Sequence, residues 1–271
     1  MLGGFISYLY YTIDKICYSG AMVRLVGILN VTPDSFSDGG QFLKPERAIA
    51  QAEKLLEDGA AIVDVGAEST KPHAIALSDE QEWHRLESVL NVLLQEYPGM
   101  ISLDSYHPET VTRAYRIGPV IVNDVTGFTN PEMVAVVIAL RPQLIISHLP
   151  KMTIQQAHEQ VPVTSVGQVR KDLLETAELL QKSGVPHGNI ILDPGIGFGK
   201  TMELNKQLLT FAEQVPDYPV MIGYSRKRFL GENRMEIGPN LSAARIAIKY
   251  GASYLRVHDV AAHAQLLQQL L

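Results

Sequence analysis

Eight short runs of β-branched and apolar residues, separated by stretches of helical periodicity, constrain this chain more than any single motif does. The runs fall at 25–30, 62–65, 101–104, 120–124, 144–147, 190–193, 220–222 and 254–257. Amphipathic stretches lie between them, among them 45–58, 79–97, 166–183 and 204–214, and a last one closes the chain at 260–270. Strands spaced by helices cannot pair as tight hairpins; they lie parallel, each helix crossing back over the sheet. Eight such units predict an α/β fold closed into a TIM (β/α)8 barrel rather than an open doubly wound sheet. A length of 271 residues suits one such barrel, and no run reads as an interdomain linker.

Polar residues gather where the strands end. Asn30, Asp64, Asp104, Asn123 with Asp124, His148, Asp193, Ser225 to Lys227, and Arg256 with His258 all fall at or just beyond the last residue of a run. In a barrel those ends converge on one mouth, where active sites are built. A carboxylate at such a point can also do no more than cap the next helix. One residue alone therefore says little, and the complete ring says much more.

Composition narrows the class. With 46% hydrophobic and 19% charged residues the chain has the balance of an ordinary soluble enzyme, and a net charge of −6 without a basic block argues against a nucleic-acid surface. The single cysteine, Cys17, excludes an internal disulfide framework and a thiolate metal cluster, and fits a reducing cytoplasm. Residues 1–21 stand apart as aromatic-rich. Their basic residue, Lys15, follows the apolar run instead of preceding it, as a secretory signal requires, and Asp14 interrupts a run too short to span a bilayer. They read as an extension outside a barrel of residues 22–271, with a short helix capping the barrel bottom as the second reading.

The stretch GILNVTPDSFSDGG, 27–40, passes from an apolar strand into a loop of turn-formers and side-chain oxygens, with Phe36 as its aromatic. Such a loop at a strand's C-terminal end suits a metal-bound polyphosphate. Asp104, Asn123 and Asp193 come from three different strands. Facing inward, they could bind a flat heterocycle with amino and lactam groups, the carboxylates accepting and the amide both donating and accepting. Arg256 and His258, two residues apart, can both face the mouth, where arginine offers a planar fork to phosphate oxygens. DPGIGFGK, 193–200, lacks the Walker spacing and the dinucleotide fingerprint, and reads as a backbone-exposing loop that lays Phe198 against a ring. Lys227, between Arg226 and Arg228, is pulled both ways: neighbouring cations disfavour its proton, whereas Asp193 favours it.

These stretches, together with DVGAESTKP (64–72), ISLDSY (101–106), VNDVTG (122–127), GYSRKRFLG (223–231) and RVHDV (256–260), resemble in content and order the dihydropteroate synthases, the pterin-binding folate enzymes. The likeness spans nearly everything after Met22. It implies condensation of 7,8-dihydropterin pyrophosphate with 4-aminobenzoate to give 7,8-dihydropteroate and pyrophosphate, and a likeness to the targets of sulfonamides. It assigns the pterin ring to Asp104, Asn123, Asp193 and Lys227. The pyrophosphate falls to Asn30, Lys71, Arg256 and His258, with Mg2+ held by Asn30 as its protein ligand. Asp34, Phe36, Thr70, Pro72 and Phe198 enclose the amine. Lys227, Asp104, Asp193 and Arg256 are the expected catalytic residues, and a homodimer through the last barrel helices is the expected assembly.

The sequence also departs from the family pattern. Lys71 stands where the family has arginine, Gly66 and Ala67 where it has two glycines, and His73 where glycine is frequent; ISHLPKM replaces a methionine-histidine pair in the fifth strand. Lysine keeps the charge but loses the bidentate fork. Two rivals stay open: a pterin-dependent methyltransferase domain, which needs neither the first loop nor the Arg256–His258 pair, and a catalytically silent pterin-binding paralogue, which those departures keep alive.

Overall fold

The structure, a computed structural model, describes residues 17–18, 21–32, 45–68, 76–153, 156, 163 and 165–270. Eight strands alternate with eight helices among these residues: β1 (Arg24–Asn30), α1 (Pro45–Glu57), β2 (Ile62–Gly66), α2 (Asp79–Glu96), β3 (Ile101–Asp104), α3 (Pro108–Ile117), β4 (Ile121–Asp124), α4 (Pro131–Leu140), β5 (Leu144–Ser147), α5 (Val166–Lys182), β6 (Ile190–Asp193), α6 (Met202–Gln207), β7 (Met221–Ile222), α7 (Ile237–Lys249), β8 (Tyr254–Val257) and α8 (Val260–Gln269). The strand order is β6-β5-β4-β3-β2-β1-β8-β7, every neighbour parallel. A parallel bridge between Leu192 and Val220 then joins β6 to β7 and closes the ring. The predicted barrel is present. Cys17–Tyr18 and Ala21–Met22 pair antiparallel in a small sheet of their own.

Strand ends agree with the sequence reading to within a residue. One helical stretch differs. The predicted 204–214 helix is α6 followed by a 3-10 segment, Leu208–Gln214. Its buried residues Leu208, Leu209, Phe211 and Ala212 form two pairs three apart, the spacing that eclipses side chains on a three-residue turn. Other helices begin where local chemistry starts them. Ser78 and Gln81 form a reciprocal capping box on α2, and Pro108 and Pro131 open α3 and α4.

The two-residue period of each strand sorts its side chains between two cores. Val63, Val65, Leu103, Val122, Ile146, Leu192 and Val257 face the helices and join the large outer core. Val26, Ile62, Ile121, Ile145, Ile191, Met221 and Tyr254 form a second cluster inside the barrel. This is an apolar floor. Two residues further along, the same strand faces carry Asp64, Asn123, Ser147, Asp193, Gly223 and Arg256, so a polar tier stands on that floor at the C-terminal mouth. No described helix is long and apolar enough to cross a membrane.

Candidate active site

Arg256 is the hub of the polar tier. It leaves the inner face of β8, and its guanidinium donates from Nε to Asp64 Oδ2 at 2.6 Å and from Nη2 to Asp104 Oδ2 at 2.7 Å. Asn123 Nδ2 donates to the Asp64 carboxylate at 3.1 and 3.3 Å, and Ser147 Oγ lies 3.5 Å from Asn123 Oδ1. Residues from β2, β3, β4, β5 and β8 thus share one hydrogen-bonded ring. Gly66 leaves room for it, because a Cβ there would stand 3.3 Å from Asp104 Cβ. Burial pushes Asp104 up to about 7; Arg256 works against that and Asp64 adds to it. Burial likewise disfavours the charge on Arg256, but Asp64, Asp104 and Asp193 outweigh it and hold the guanidinium protonated.

Across the mouth stand Asp193 and Lys227. The point where a Gly223 Cβ would lie is 3.5 Å from Asp193 Oδ2, 3.8 Å from Lys227 Nζ and 3.9 Å from Arg256 Cβ, so these groups crowd a glycine that makes space for them. Asp193 Oδ1 accepts from the Gly195 amide at 2.8 Å. Burial raises the Asp193 pKa, opposed by Lys227, that amide, Arg256 and Lys200. Lys227 Nζ donates to Ile196 O at 2.5 Å and lies 5.3 Å from the centre of the Phe198 ring. Burial lowers its pKa to about 8 against the pull of Asp193, so the contest left open by the sequence ends with a lysine still charged near neutrality. The turn that aims Lys227 is built by Arg226. Its φ of +59° is costly for a side-chain-bearing residue and is held by Asn240 Oδ1 on its amide and by Asp259 on its guanidinium, both at 2.9 Å.

His258 follows β8 and faces Ser225, whose Oγ lies 3.0 Å from His258 Nδ1 and accepts from the His258 amide at 3.3 Å. Burial, Arg226 and Arg256 lower its pKa to about 4, leaving a neutral ring at physiological pH. Asn30 ends β1 exposed at the rim, beside Gly66 in register. The structure therefore brings Asp104, Asn123, Asp193, Lys227, Arg256, His258 and Asn30 to one mouth, with Phe198 over Lys227. Asp34, Phe36, Thr70, Lys71 and Pro72 lie outside the described residues. Ala67 is buried and has no left-handed backbone, so this departure from a glycine pair asks nothing that alanine cannot give. His148 is a wall residue, 3% exposed, with Nε2 3.2 Å from Asp172 Oδ2.

The sequence reading missed three groups. Asp64 is noted there only as one strand end among many, whereas here it ties Arg256 to Asn123. Lys200 is buried, with its Nζ on the carbonyls of His148, Gly195 and Phe198. A third cluster lies beside the exits of β2 and β3. Glu68 accepts from Tyr106 Oη at 2.6 Å and from the Leu77 amide at 3.2 Å, and its Oε2 lies 3.6 Å from His107 Nε2. Burial pushes Glu68 up, but those partners, His107 foremost, bring its pKa below the usual value. Buried Glu82, which accepts from Ser105 Oγ at 2.7 Å, is raised by burial. Separations of 38 and 39 residues gave no local signal for this cluster.

Residues 26–258 match the model of a family described as pterin binding enzymes. A relative from Haemophilus influenzae, a dihydropteroate synthase, is 35% identical over 93% of this chain and 94% of its own length. The chain belongs to the dihydropteroate synthase family. Among solved structures of synthases, one from Xanthomonas albilineans with 4-aminobenzoic acid is 35% identical and superposes with a TM-score of 0.81 over 92% of both chains. A structure of a synthase from the same organism in complex with 7,8-dihydropteroate is 32% identical and gives 0.78, again over 92% of both chains. Like other members of the synthase family, the chain is a transferase built on a pterin-binding barrel.

Proposed function

We propose that the ring of polar groups on the apolar floor binds 6-hydroxymethyl-7,8-dihydropterin pyrophosphate and that the mouth above it receives 4-aminobenzoate. The observation that carries this reading is the joining of Asp64, Asp104, Asn123 and Arg256 in one network, with Asp193 and Lys227 facing it across Gly223. Asp193, Asn123 and Lys227 meet the amino, lactam and carbonyl groups of the ring, and Asp104 holds the ring edge nearest Arg256. Arg256, His258 and Asn30 hold the pyrophosphate, joined by Lys71. Phe198 lies against the bound ring and amine, and Asp34, Phe36, Thr70 and Pro72 enclose the amine.

In the reaction, the amine nitrogen forms a bond to the pterin methylene carbon as the carbon–oxygen bond to pyrophosphate breaks, and the amine gives up a proton. No side chain acts as a covalent nucleophile. Ser225, occupied with His258, positions that ring. Asp104 and Asp193 favour positive charge developing on the pterin side, while Arg256 and Lys71 meet the negative charge on the leaving group. Mg2+ fits the chemistry of the rim, where exposed Asn30 would offer an amide oxygen and the substrate's phosphate oxygens would supply further hard donors. When bound, the ion neutralises charge on the departing pyrophosphate.

We assign the barrel to residues 22–271, preceded by the 1–21 extension. A homodimer through the last barrel helices is supported by Ile237 and Ile246, both exposed on α7. The single cysteine supports a reducing, cytoplasmic setting. The test is pyrophosphate release from the dihydropterin pyrophosphate with Mg2+, with and without 4-aminobenzoate. Release that depends on 4-aminobenzoate and is matched by dihydropteroate supports the assignment. Pterin binding without release would replace it with the silent paralogue.

A further inference from the structure

Lys200 is only 6% exposed, yet it carries a charge into the wall of the mouth. Its Nζ donates to three carbonyl oxygens: His148 at 3.1 Å, Gly195 at 2.8 Å and Phe198 at 2.9 Å. An ammonium has three N–H donors and all three are used, so nothing remains for a phosphate or a substrate carbonyl. The same geometry requires the protonated form, since a neutral amine would turn its lone pair on one of the three oxygens. Burial is the largest cause that brings its pKa down to about 7, with Asp193 opposing, Lys227 adding to the fall and Asp172 opposing it.

The charges of the tier explain what such a lysine does. Asp64, Asp104 and Asp193 face Arg256, Lys227 and Lys200, but Arg256 is shared between Asp64 and Asp104. Asp193 is held down first by Lys227, then by the Gly195 amide and Arg256, and last by Lys200. Lys227 is half-buried and stands on the open side of the mouth, where a ligand can engage it. Lys200 is fixed on the closed side and ties the loop after β6 to the carbonyl that follows β5. That loop is tightly seated: Gly195 has φ +62°, and a Cβ there would fall 2.0 Å from His148 O.

We infer that Lys200 is a positioning residue for the heterocycle site, holding the 193–200 loop in place from below and supplying the fixed positive charge that Asp193 keeps when a bound ring engages Lys227. The inference rests on the pterin reading of that site. It makes Lys200 a structural cation of the binding pocket and separates it from the phosphate lysines that a glycine-lysine pair suggests.

The test is calorimetric titration of Lys200→Met with 7,8-dihydropteroate between about pH 6 and 8.5. Without the cation Asp193 takes up a proton at higher pH, so the variant binds about tenfold more weakly than wild type at about pH 6, and the gap narrows as pH rises through about 7, where wild-type Lys200 loses its own proton. A loss of one constant factor at every pH, or no loss, overturns the inference, because disordering the loop alone has no acid limb. Should Lys200→Met not fold, Asp193→Asn is added to it. Recovery of a folded barrel upholds the coupling between the two charges, and a double variant that also stays unfolded refutes it. Wild-type protein that fails to bind dihydropteroate would sink the pterin reading itself, and the inference with it.

Discussion

Replacing Arg256 by methionine keeps an unbranched apolar stem and removes the cation that pairs with both Asp64 and Asp104. The structure sets the size of the effect. Asp64 is 1% exposed and the Asp104 side chain 16%, so two carboxylates would be left facing each other with little water. Removing one partner from a buried ion pair costs about 3–5 kcal/mol. At about 2–4 °C per kcal/mol for a chain near this size, Tm should fall by roughly 6–20 °C at pH 8. The loss must depend on pH. The pKa of Asp104, already about 7 in the folded protein, exceeds its unfolded value, so its share of stability is intact at low pH and lost as pH rises through the folded pKa. Without Arg256 that pKa rises further, so at about pH 5.5 Asp104 is neutral and the remaining cost is two lost hydrogen bonds, about 1–3 kcal/mol. Urea midpoints of wild type and variant at the two pH values measure the difference. A loss equal at both, or greater at the acid one, would refute the assignment of Arg256 as the counter-charge of this pair.

Burial works against a proton on His107, but Glu68, Glu82 and Asp79 raise its pKa to about 9. Its contribution is complete below the unfolded pKa of about 6.5 and lost as pH rises through 9, so His107→Gln should flatten a fall in the urea midpoint between those values. Because His258 is neutral above about pH 4, His258→Gln should raise the KM for the pterin pyrophosphate several-fold, roughly what one neutral hydrogen bond is worth, without moving the pH–rate profile between about 6 and 8. Gly195→Ala meets both a left-handed backbone and the His148 carbonyl, and should cost about 2–5 kcal/mol in urea unfolding; a near-neutral result would mean the loop is seated differently.

The barrel was legible because two periods alternate eight times along the chain, and the strands they mark end within a residue of where the structure ends them. The gathering of polar residues at strand ends was legible as a set for the same reason. Their pairing was not. Asp64 lies between Val63 and Val65, so alternation puts it on the inner face, but no local pattern says that its partners are 59 and 192 residues away. Lys200 ends a glycine-rich loop with no motif that assigns it a partner, and the carbonyl of His148, 52 residues earlier, gives it a task that no local pattern shows. The Glu68–His107 cluster joins two loops and has no motif of its own.

Among the described residues, seven apolar side chains inside the barrel close its lower end, which leaves the well open at its C-terminal mouth. Everything that reaches the carboxylates passes the rim and leaves by the same route. On the proposed placement, the substrate anchored deepest, against Asn123 and Asp193, has to arrive before its partner closes the passage. On the same placement the pyrophosphate, nearest the rim, has to clear before the joined product can back out. A barrel plugged from below thereby imposes an order of traffic on a reaction whose chemistry alone would impose none.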